Sequence, residues 1–110
     1  MKCSVATAWV GKRPWWIIET IESFNGWRSF GQGNFTEWLS NNGFGGTNYI
    51  HYENTPVGAV SHTWEPFLPF VNDAPTYFGL WASAKNFAIC AWNSRRTPYF
   101  QAVGDPFVRK

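Results

Sequence analysis

The sequence contains few of the residues on which reactive and metal-binding sites depend. Its 110 residues include two cysteines, Cys3 and Cys90, and two histidines, His51 and His62. The cysteine spacing fits no metal site, and the two thiols can pair only if the protein is exported. Buried free thiols are the simpler expectation. The histidines lie eleven positions apart, which matches no recognised spacing of metal ligands. We therefore predict neither a metal ion nor a cofactor.

Charge is also scarce, at 15% of residues and a net charge of +2. The basic residues are scattered, with the densest cluster at Arg95 and Arg96. No basic stripe follows a helix, so the electrostatic surface of a duplex-binding protein is missing. Aromatic rings can stack on single-stranded bases, but so little positive charge would hold the phosphate backbone poorly. We predict no nucleic-acid partner.

Long apolar runs are absent as well. Proline, glycine or charge interrupts every apolar stretch well short of the roughly 20 residues that a transmembrane helix needs. The segment 1–10 faintly resembles a signal peptide, but G-K-R-P at 11–14 stands where small residues would mark a cleavage site. We interpret 1–10 as containing a strand, and no compartment is predicted.

Aromatic residues are abundant, at 20% of the chain, and eight of them are tryptophans. With ten glycines and seven prolines, this composition is typical of a compact, loop-rich fold and not of a disordered chain. Burial in the core is the expected role of the tryptophans, because aromatic area is a main source of stability. A flat sugar-stacking surface and a protein interface are the alternatives. The tryptophans concerned are Trp15, Trp16, Trp27, Trp64, Trp81 and Trp92.

Hydrophobic patterning alternates between strand and helix signals. It predicts strands over 4–10, 47–52, 57–64 and 99–103 and helices over 34–42, 73–84 and 86–93, while 15–18 suits either element. Asp73 is a suitable cap and Pro75 fits the first turn of its helix. The helix over 86–93 is apolar nearly all round, which predicts burial. Pro66 and Pro69 argue against regular structure through residue 70. We predict one α/β domain, with a sheet of three to five short, partly parallel strands.

Four short motifs occur in order along the chain. They are S-F-N-G at 23–26, F-T-E-W-L at 35–39, G-A-V at 58–60 with E-P at 65–66, and V-G-D-P at 103–106. This order resembles the C-terminal region of a family of uncharacterised, often exported bacterial proteins. In that family S-F-G-G precedes a W-L-x-x-G helix, a small-residue strand ending in E-P, a helix pair and a closing G-D-P. The resemblance covers most of the chain.

That family is distantly similar to the caspase-like α/β fold of gingipain-like and CHAT peptidases. The resemblance implies the C-terminal half of a three-layer sandwich, with a short, mostly parallel sheet and flanking helices. It also implies that 1–110 is a single domain that is either a genuinely short protein or a truncated one, because the relatives begin with further strands. The chain departs from the family at two points. No nucleophilic cysteine stands at 23–26, and a segment that often reads A-E-A reads A-I-C at 88–90.

No set of side chains forms a complete catalytic constellation. Cys90 falls in the middle of an apolar helix, where burial raises the pKa of a thiol and makes it inert. Ser61, His62 and Glu65 can be drawn as a triad, but neighbouring strand residues point to opposite faces. G-F-G-G at 43–46 lacks the lysine of a phosphate loop, and Asp105 is interpreted as a turn residue. A metal site would draw on His51, Glu53, His62, Glu65 and Asp73.

We therefore predict a non-catalytic structural or interaction module without catalytic, cofactor or metal site residues. Its expected partner is a second copy or a separately encoded protein. A glycan-binding module using exposed tryptophans and a residual cysteine-type hydrolase are the alternatives. If the domain is truncated, one sheet edge should be unprotected, and the apolar segments 15–18 and 67–71 should lie near exposed surface.

Overall fold

The computed structural model describes residues 16–21, 23–27 and 56–110 of the chain. The predictions for 4–10, 34–42 and 47–52 and for Cys3, Trp15, His51 and Glu53 lie outside these residues. The elements of the described part are β1 (Ile17–Glu19), β2 (Gly58–His62), a 3-10 helix (Leu68–Phe70), α1 (Ala74–Ala82), α2 (Phe87–Ser94) and β3 (Phe100–Gly104).

The three strands form one mixed sheet in the order β1-β2-β3. β1 runs parallel to β2, with Ile17 opposite Gly58, and β3 runs antiparallel to β2, with Gly104 opposite Gly58. The N–H of Thr63 donates to the carbonyl of Tyr99 at 2.8 Å, which extends this antiparallel pairing beyond β2. The described residues thus confirm an α/β arrangement with a short, partly parallel sheet.

Both helices pack on one face of the sheet. Side chains alternate along a strand, so Ile17 of β1 and Val60 of β2 face the helices. Around them lies the larger of the two apolar clusters among the described residues, which is stabilised by removing apolar area from water at roughly 25 cal/mol per Å². Its buried members are Ile17, Val60, Tyr77, Trp81, Phe87, Cys90 and Ala91.

Glycine lets α2 approach the sheet closely. A Cβ atom at Gly58 would lie 2.5 Å from atoms of the Phe87 ring, so the ring rests directly on the glycine backbone. A Cβ atom at Gly104 would lie 2.6 Å from the carbonyl oxygen of Val57, and the φ of Gly104 is +150°. Any side chain at these two positions would push the helix or the edge strand away.

The two helices begin at side-chain caps. The Asp73 carboxylate accepts a hydrogen bond from the N–H of Thr76 at 3.0 Å, and the Asn86 side chain accepts one from the N–H of Ile89 at 2.9 Å. Pro75 lies in the first turn of α1, where no intrahelical acceptor exists for a backbone N–H. The predictions of helices over 73–84 and 86–93 are confirmed, although α1 is slightly shorter at both ends and α2 is shifted by one residue toward the C-terminus.

The chain after β3 closes the start of α2. The N–H of Phe87 donates to the carbonyl of Val108 at 2.8 Å, and the N–H of Ala88 donates to the carbonyl of Pro106 at 3.1 Å. Asp105 accepts a hydrogen bond from the N–H of Phe107 at 2.9 Å, which confirms it as a turn residue. The closing G-D-P therefore bends the chain back so that its carbonyls satisfy the first donors of α2.

Two local predictions are wrong. The α2 helix is not buried all round, since Ile89 is 40% exposed and Trp92 is 64% exposed. One side of α2 packs on the sheet and on α1, and no described element covers its other side. The prediction of no regular structure through residue 70 is also wrong, because Leu68–Phe70 form a short 3-10 helix. Pro69 lies in its first turn, where the backbone N–H that proline lacks would have no partner within the helix.

The face of the sheet opposite the helices carries a smaller apolar cluster. Ala59 is fully buried there, with Trp16, Ile18 and Val103 packed against it. Ile17 is buried and its two neighbours are half-buried, so the expectation that 15–18 lies near exposed surface is wrong for the described residues 16–18. Within the described part no helix lies on this face, and the three-layer, caspase-like architecture stays a prediction.

Candidate functional site

Two connections lie side by side at one end of the sheet and enclose a groove. One leads from β2 to α1 and the other from α2 to β3. We name the space between them the aromatic groove. It has a volume of about 330 Å³ and is lined by Trp64, Glu65, Pro66, Phe67, Phe70, Arg96, Thr97, Pro98 and Tyr99.

The large side chains of the aromatic groove are exposed to an unusual degree. Trp64 and Tyr99 are each 56% exposed, Phe67 is 71% exposed and Phe70 is 51% exposed. Leu68, next to the groove, is 88% exposed. This confirms the expectation that 67–71 lies near exposed surface. Contiguous apolar surface of this kind marks binding sites in soluble proteins, because leaving it in water is costly.

A row of rings continues from the groove to the turn at 23–27. The Trp64 and Tyr99 ring centroids lie 6.3 Å apart with planes inclined by 37°. The ring centroids of Phe24 and Trp64 lie 5.4 Å apart with planes inclined by 64°. Those of Phe24 and Trp27 lie 6.2 Å apart with planes inclined by 42°. Since each ring is inclined to the next, the row forms slots between rings and not one flat plane.

Polar contacts hold in place the connection from α2 to β3, which forms one side of the groove. Arg96 forms an ion pair with Asp73, the cap of α1. The hydrogen bond from the N–H of Thr76 and the contact with Arg96 hold the pKa of the Asp73 carboxyl below its usual range. The hydroxyl oxygen of Thr97 accepts a hydrogen bond from the N–H of Tyr99 at 3.2 Å. These contacts fix the backbone from which the Tyr99 ring projects.

Three polar groups of the groove remain available to a ligand. Among the described residues, the indole N–H of Trp64 and the hydroxyl of Tyr99 have no hydrogen-bond partner, and Glu65 has no ion-pair partner. The first two can donate to a ligand carbonyl, and the exposed carboxylate of Glu65 can face a cation. The groove therefore combines apolar slots with two donors and one negative charge.

A second polar cluster lies buried where β1 ends beneath the start of α1. Burial raises the pKa of Glu19 to about 7, although the Asn72 amide nearby partly opposes the shift. No hydrogen bond of normal geometry joins the two side chains. Tyr77 donates its hydroxyl proton to the carbonyl of Ile18 at 3.3 Å, and burial raises its pKa. No pattern in the sequence predicted this cluster, because the contact between Glu19 and Asn72 depends on how α1 packs against the sheet.

The candidate triad of the sequence does not assemble. Ser61 lies on the face opposite the helices, where its hydroxyl contacts that of Thr20 at 2.8 Å. His62 is fully buried, neither of its ring nitrogens has a hydrogen-bond partner, and burial lowers its pKa. Glu65 is exposed at the aromatic groove. The argument from alternating strand faces is therefore confirmed.

Cys90 is a free thiol buried on the inner side of α2. Burial raises its pKa, which disfavours the reactive thiolate and confirms the interpretation of Cys90 as a core residue. The described residues contain no group of three or more histidine, cysteine or acidic side chains able to hold a metal ion. In the same part of the chain, no helix is long and apolar enough to cross a membrane.

The prediction that the tryptophans belong to the core is wrong for most of the described ones. Trp81 is buried, at 6% exposed, and Trp16 is half-buried. Trp27, Trp64 and Trp92 are 47%, 56% and 64% exposed. Composition alone does not separate the two groups. The signal that could have found Trp64 is its position between a strand end and the prolines at 66 and 69.

Comparisons of this chain with protein-family models, with curated proteins and with solved structures found no match. The arguments for its function therefore come from the residues and the geometry of the two sites.

Proposed function

We propose that the chain is a non-catalytic protein-interaction module whose aromatic groove binds an extended, proline-containing segment of a partner protein. The observation that carries the proposal is the cluster of four exposed aromatic side chains around one groove, Trp64, Phe67, Phe70 and Tyr99. Aromatic side chains are enriched in protein interfaces, where they contribute much of the binding energy.

The polar groups of the groove favour proline in the ligand. Trp64 and Tyr99 offer hydrogen-bond donors, whereas the acceptors among the described lining side chains are few: the Glu65 carboxylate and the hydroxyl oxygens of Thr97 and Tyr99. A peptide N–H entering the groove would lose its bond to water and find few acceptors. Proline has no N–H, and a polyproline II segment presents its carbonyls while needing no internal hydrogen bonds. Aromatic-lined grooves bind such segments by this principle.

Charge adds one feature to the expected ligand. Glu65 lies at the groove without an ion-pair partner among the described residues, whereas Arg96 is already paired with Asp73. A basic residue next to the prolines would meet the Glu65 carboxylate, which is worth little energy on an exposed surface but orients the peptide.

Glycan binding is the second candidate, favoured by the exposure of Trp27 and Trp64. Two observations weigh against it. The rings of the row are inclined to one another, so no flat stacking platform forms. Sugar hydroxyls also need acceptors as well as donors, and the described lining side chains offer only the Glu65 carboxylate and the hydroxyls of Thr97 and Tyr99 as acceptors.

A residual hydrolase is the least supported candidate. Cys90 is buried with a raised pKa, and Ser61 and His62 lie on opposite faces of the sheet. We retain the relation to the C-terminal part of the caspase-like family as a proposal. It is supported by the motif order in the sequence and by the turn at Asp105 directly after β3.

The test is a nuclear magnetic resonance titration of the 15N-labelled protein. The indole N–H signal of Trp64 is assigned by its loss in Trp64→Phe. We expect a decaproline peptide ending in lysine to shift this signal and the amide signals of Phe67 and Tyr99. A glycine-serine peptide of equal length and charge is the matched peptide control.

The same titration separates the rival functions. A peptide ending in glutamate instead of lysine should bind more weakly, and the variant Glu65→Gln should remove that difference. If a soluble glucan oligosaccharide shifts the Trp64 signal and decaproline does not, the glycan-binding alternative replaces the proposal. If neither ligand shifts the Trp64 signal, the proposal for this groove is wrong.

A further inference from the structure

The turn at 23–27 holds one residue in a strained backbone conformation. Phe24 has a φ of 63°, in the left-handed region. This region is unfavourable for any residue with a Cβ atom, and a bulky side chain there is a genuine outlier. Such residues persist only where the surrounding structure fixes them, and they cluster at functional sites. The contacts that hold Phe24, and those that its ring makes, therefore indicate what the strain achieves.

Backbone contacts fix this turn against the end of β2. The N–H of Phe24 donates to the carbonyl of Trp64 at 3.4 Å. Two residues later, the N–H of Gly26 donates to the carbonyl of His62 at 2.8 Å. A Cβ atom at Gly26 would lie 2.9 Å from the Cβ atom of Gln101, so the turn rests directly on the sheet. The backbone of Phe24 is therefore held at both sides and has little freedom to relax.

The ring of Phe24 contacts Trp64, the tryptophan of the aromatic groove. Their centroids lie 5.4 Å apart with planes inclined by 64°, which is a favourable edge-to-face arrangement. Among the described residues, Tyr99 makes the other ring contact of Trp64. Because Trp64 is 56% exposed, its orientation depends strongly on these two neighbours. Glycine at residue 24 would fit the turn without strain, but it would leave Trp64 with one ring contact.

We propose that Phe24 is a positioning residue, which the turn holds in the left-handed conformation so that its ring fixes the Trp64 ring for ligand binding. Phe24 does not line the aromatic groove and acts through Trp64. A ring that is ordered before binding loses less conformational entropy when a ligand arrives, so the ligand binds more tightly. The effect on affinity rests on the proposed function of the groove, whereas the effect on Trp64 exists in the free protein.

Two variants of residue 24 test the strained backbone. Phe24→Gly and Phe24→Ala both remove the ring, but only glycine adopts the left-handed region without strain. The unfolding equilibrium constant of Phe24→Gly should therefore be roughly tenfold lower than that of Phe24→Ala. At an ordinary backbone position the order is reversed, because glycine has more conformational freedom in the unfolded chain. Urea unfolding measures both constants, and a Phe24→Ala variant as stable as Phe24→Gly would contradict the strained turn.

The positioning role is tested on the indole N–H of Trp64 by 15N resonance of the free protein. In wild type, the heteronuclear Overhauser effect of this group should match that of the buried Trp81, since both rings are ordered. Phe24→Leu keeps an apolar side chain without the ring, so the Trp64 signal should shift and its Overhauser effect should fall. Phe24→Tyr should restore both. Phe78→Leu is the matched control and should leave Trp64 unchanged, because the Phe78 ring is inclined by the same 64° but contacts Tyr77.

The peptide titration separates this inference from the proposed function. Lysine-ended decaproline should bind Phe24→Leu about three- to tenfold more weakly than wild type, while Phe24→Tyr and Phe78→Leu bind it as wild type does. If wild type binds no decaproline, the proposed function fails, and the Overhauser effects of the free protein still decide the role of Phe24. An unchanged Overhauser effect of Trp64 in Phe24→Leu overturns the positioning role. Wild-type affinity in a Phe24→Leu variant whose Trp64 has become mobile overturns its link to binding.

Discussion

Two groups of aromatic residues in this chain have opposite environments. Tyr77, Trp81 and Phe87 lie between the helices and the sheet with at most 6% exposure. Trp64 and Tyr99, in the aromatic groove, are more than half exposed. The first group removes apolar area from water during folding, and the second leaves that area in water. The difference shows that a high aromatic content serves the core and a surface in the same small chain.

The sharpest test of this comparison is truncation of one tryptophan from each group. We expect Trp81→Ala to lower the free energy of unfolding by about 3–5 kcal/mol, because a buried ring is lost and a cavity remains. Trp64→Ala should lower it by less than about 1 kcal/mol, since the ring is already largely hydrated. Urea unfolding followed by circular dichroism measures both. Equal losses would show that the Trp64 ring belongs to the core.

The buried group also depends on a glycine beneath it. Gly58→Ala should cost about 1–3 kcal/mol, because the added methyl group would strike the Phe87 ring and force α2 outward. Gly79 in α1 is the matched control, since a Cβ atom there meets nothing within 4 Å. Gly79→Ala should stabilise the protein by up to about 1 kcal/mol through helix propensity. Thermal unfolding of the two variants should move in opposite directions.

The polar cluster beneath α1 predicts a pH dependence of stability. The pKa of the Glu19 carboxyl is 4.5 in an unfolded chain, and burial raises it to about 7 in the folded protein. The folded state therefore binds more protons between these values, and the stability that Glu19 contributes at low pH is lost as pH rises through about 7. Glu19→Gln keeps the shape of the side chain and removes the charge.

We expect Glu19→Gln to be more stable than wild type at pH 8 by about 1–2 kcal/mol, a value reduced because the residue as a whole is only half-buried. At pH 4.5 the two proteins should differ little, because Glu19 is then protonated in the folded state. Glu65→Gln, at an exposed position, is the control and should show no such pH dependence. A difference between Glu19→Gln and wild type that does not grow with pH would contradict the environment described for Glu19.

The smallest effect is expected on the 3-10 helix. Phe67→Ser and Leu68→Ser should each change the free energy of unfolding by no more than about 0.5 kcal/mol, because both side chains are more than two thirds exposed. They should instead raise the solubility of the protein. A loss of several kcal/mol from either change would place 67–71 in the core.

The sequence predicted local structure better than it predicted exposure. Asp73, Pro75 and the apolar spacing of Tyr77 and Trp81 carry a complete helix signal, because capping and helical periodicity act within a few residues. Helix α2 was misjudged because its apolar residues look alike in sequence. Which of them are buried depends on the width of the sheet and the position of α1.

The candidate sites show the same limit. The contact between Glu19 and Asn72 joins the end of β1 to the start of α1, and neither segment contains a sequence pattern that indicates this contact. The aromatic groove is formed by two connections that only the fold brings together. Sequence patterning reports on neighbours along the chain, and these sites are made from residues far apart along it.

The most direct test of the central claim measures stability and binding in one variant. Trp64→Ala and Trp92→Ala each remove a tryptophan that is more than half exposed, but only Trp64 lines the aromatic groove. We predict that both variants unfold within about 1 kcal/mol of wild type. Of the two, only Trp64→Ala should lose the binding of lysine-ended decaproline in the resonance titration. Retained binding by Trp64→Ala, or equal loss in both variants, would contradict the assignment of the aromatic groove as the binding surface.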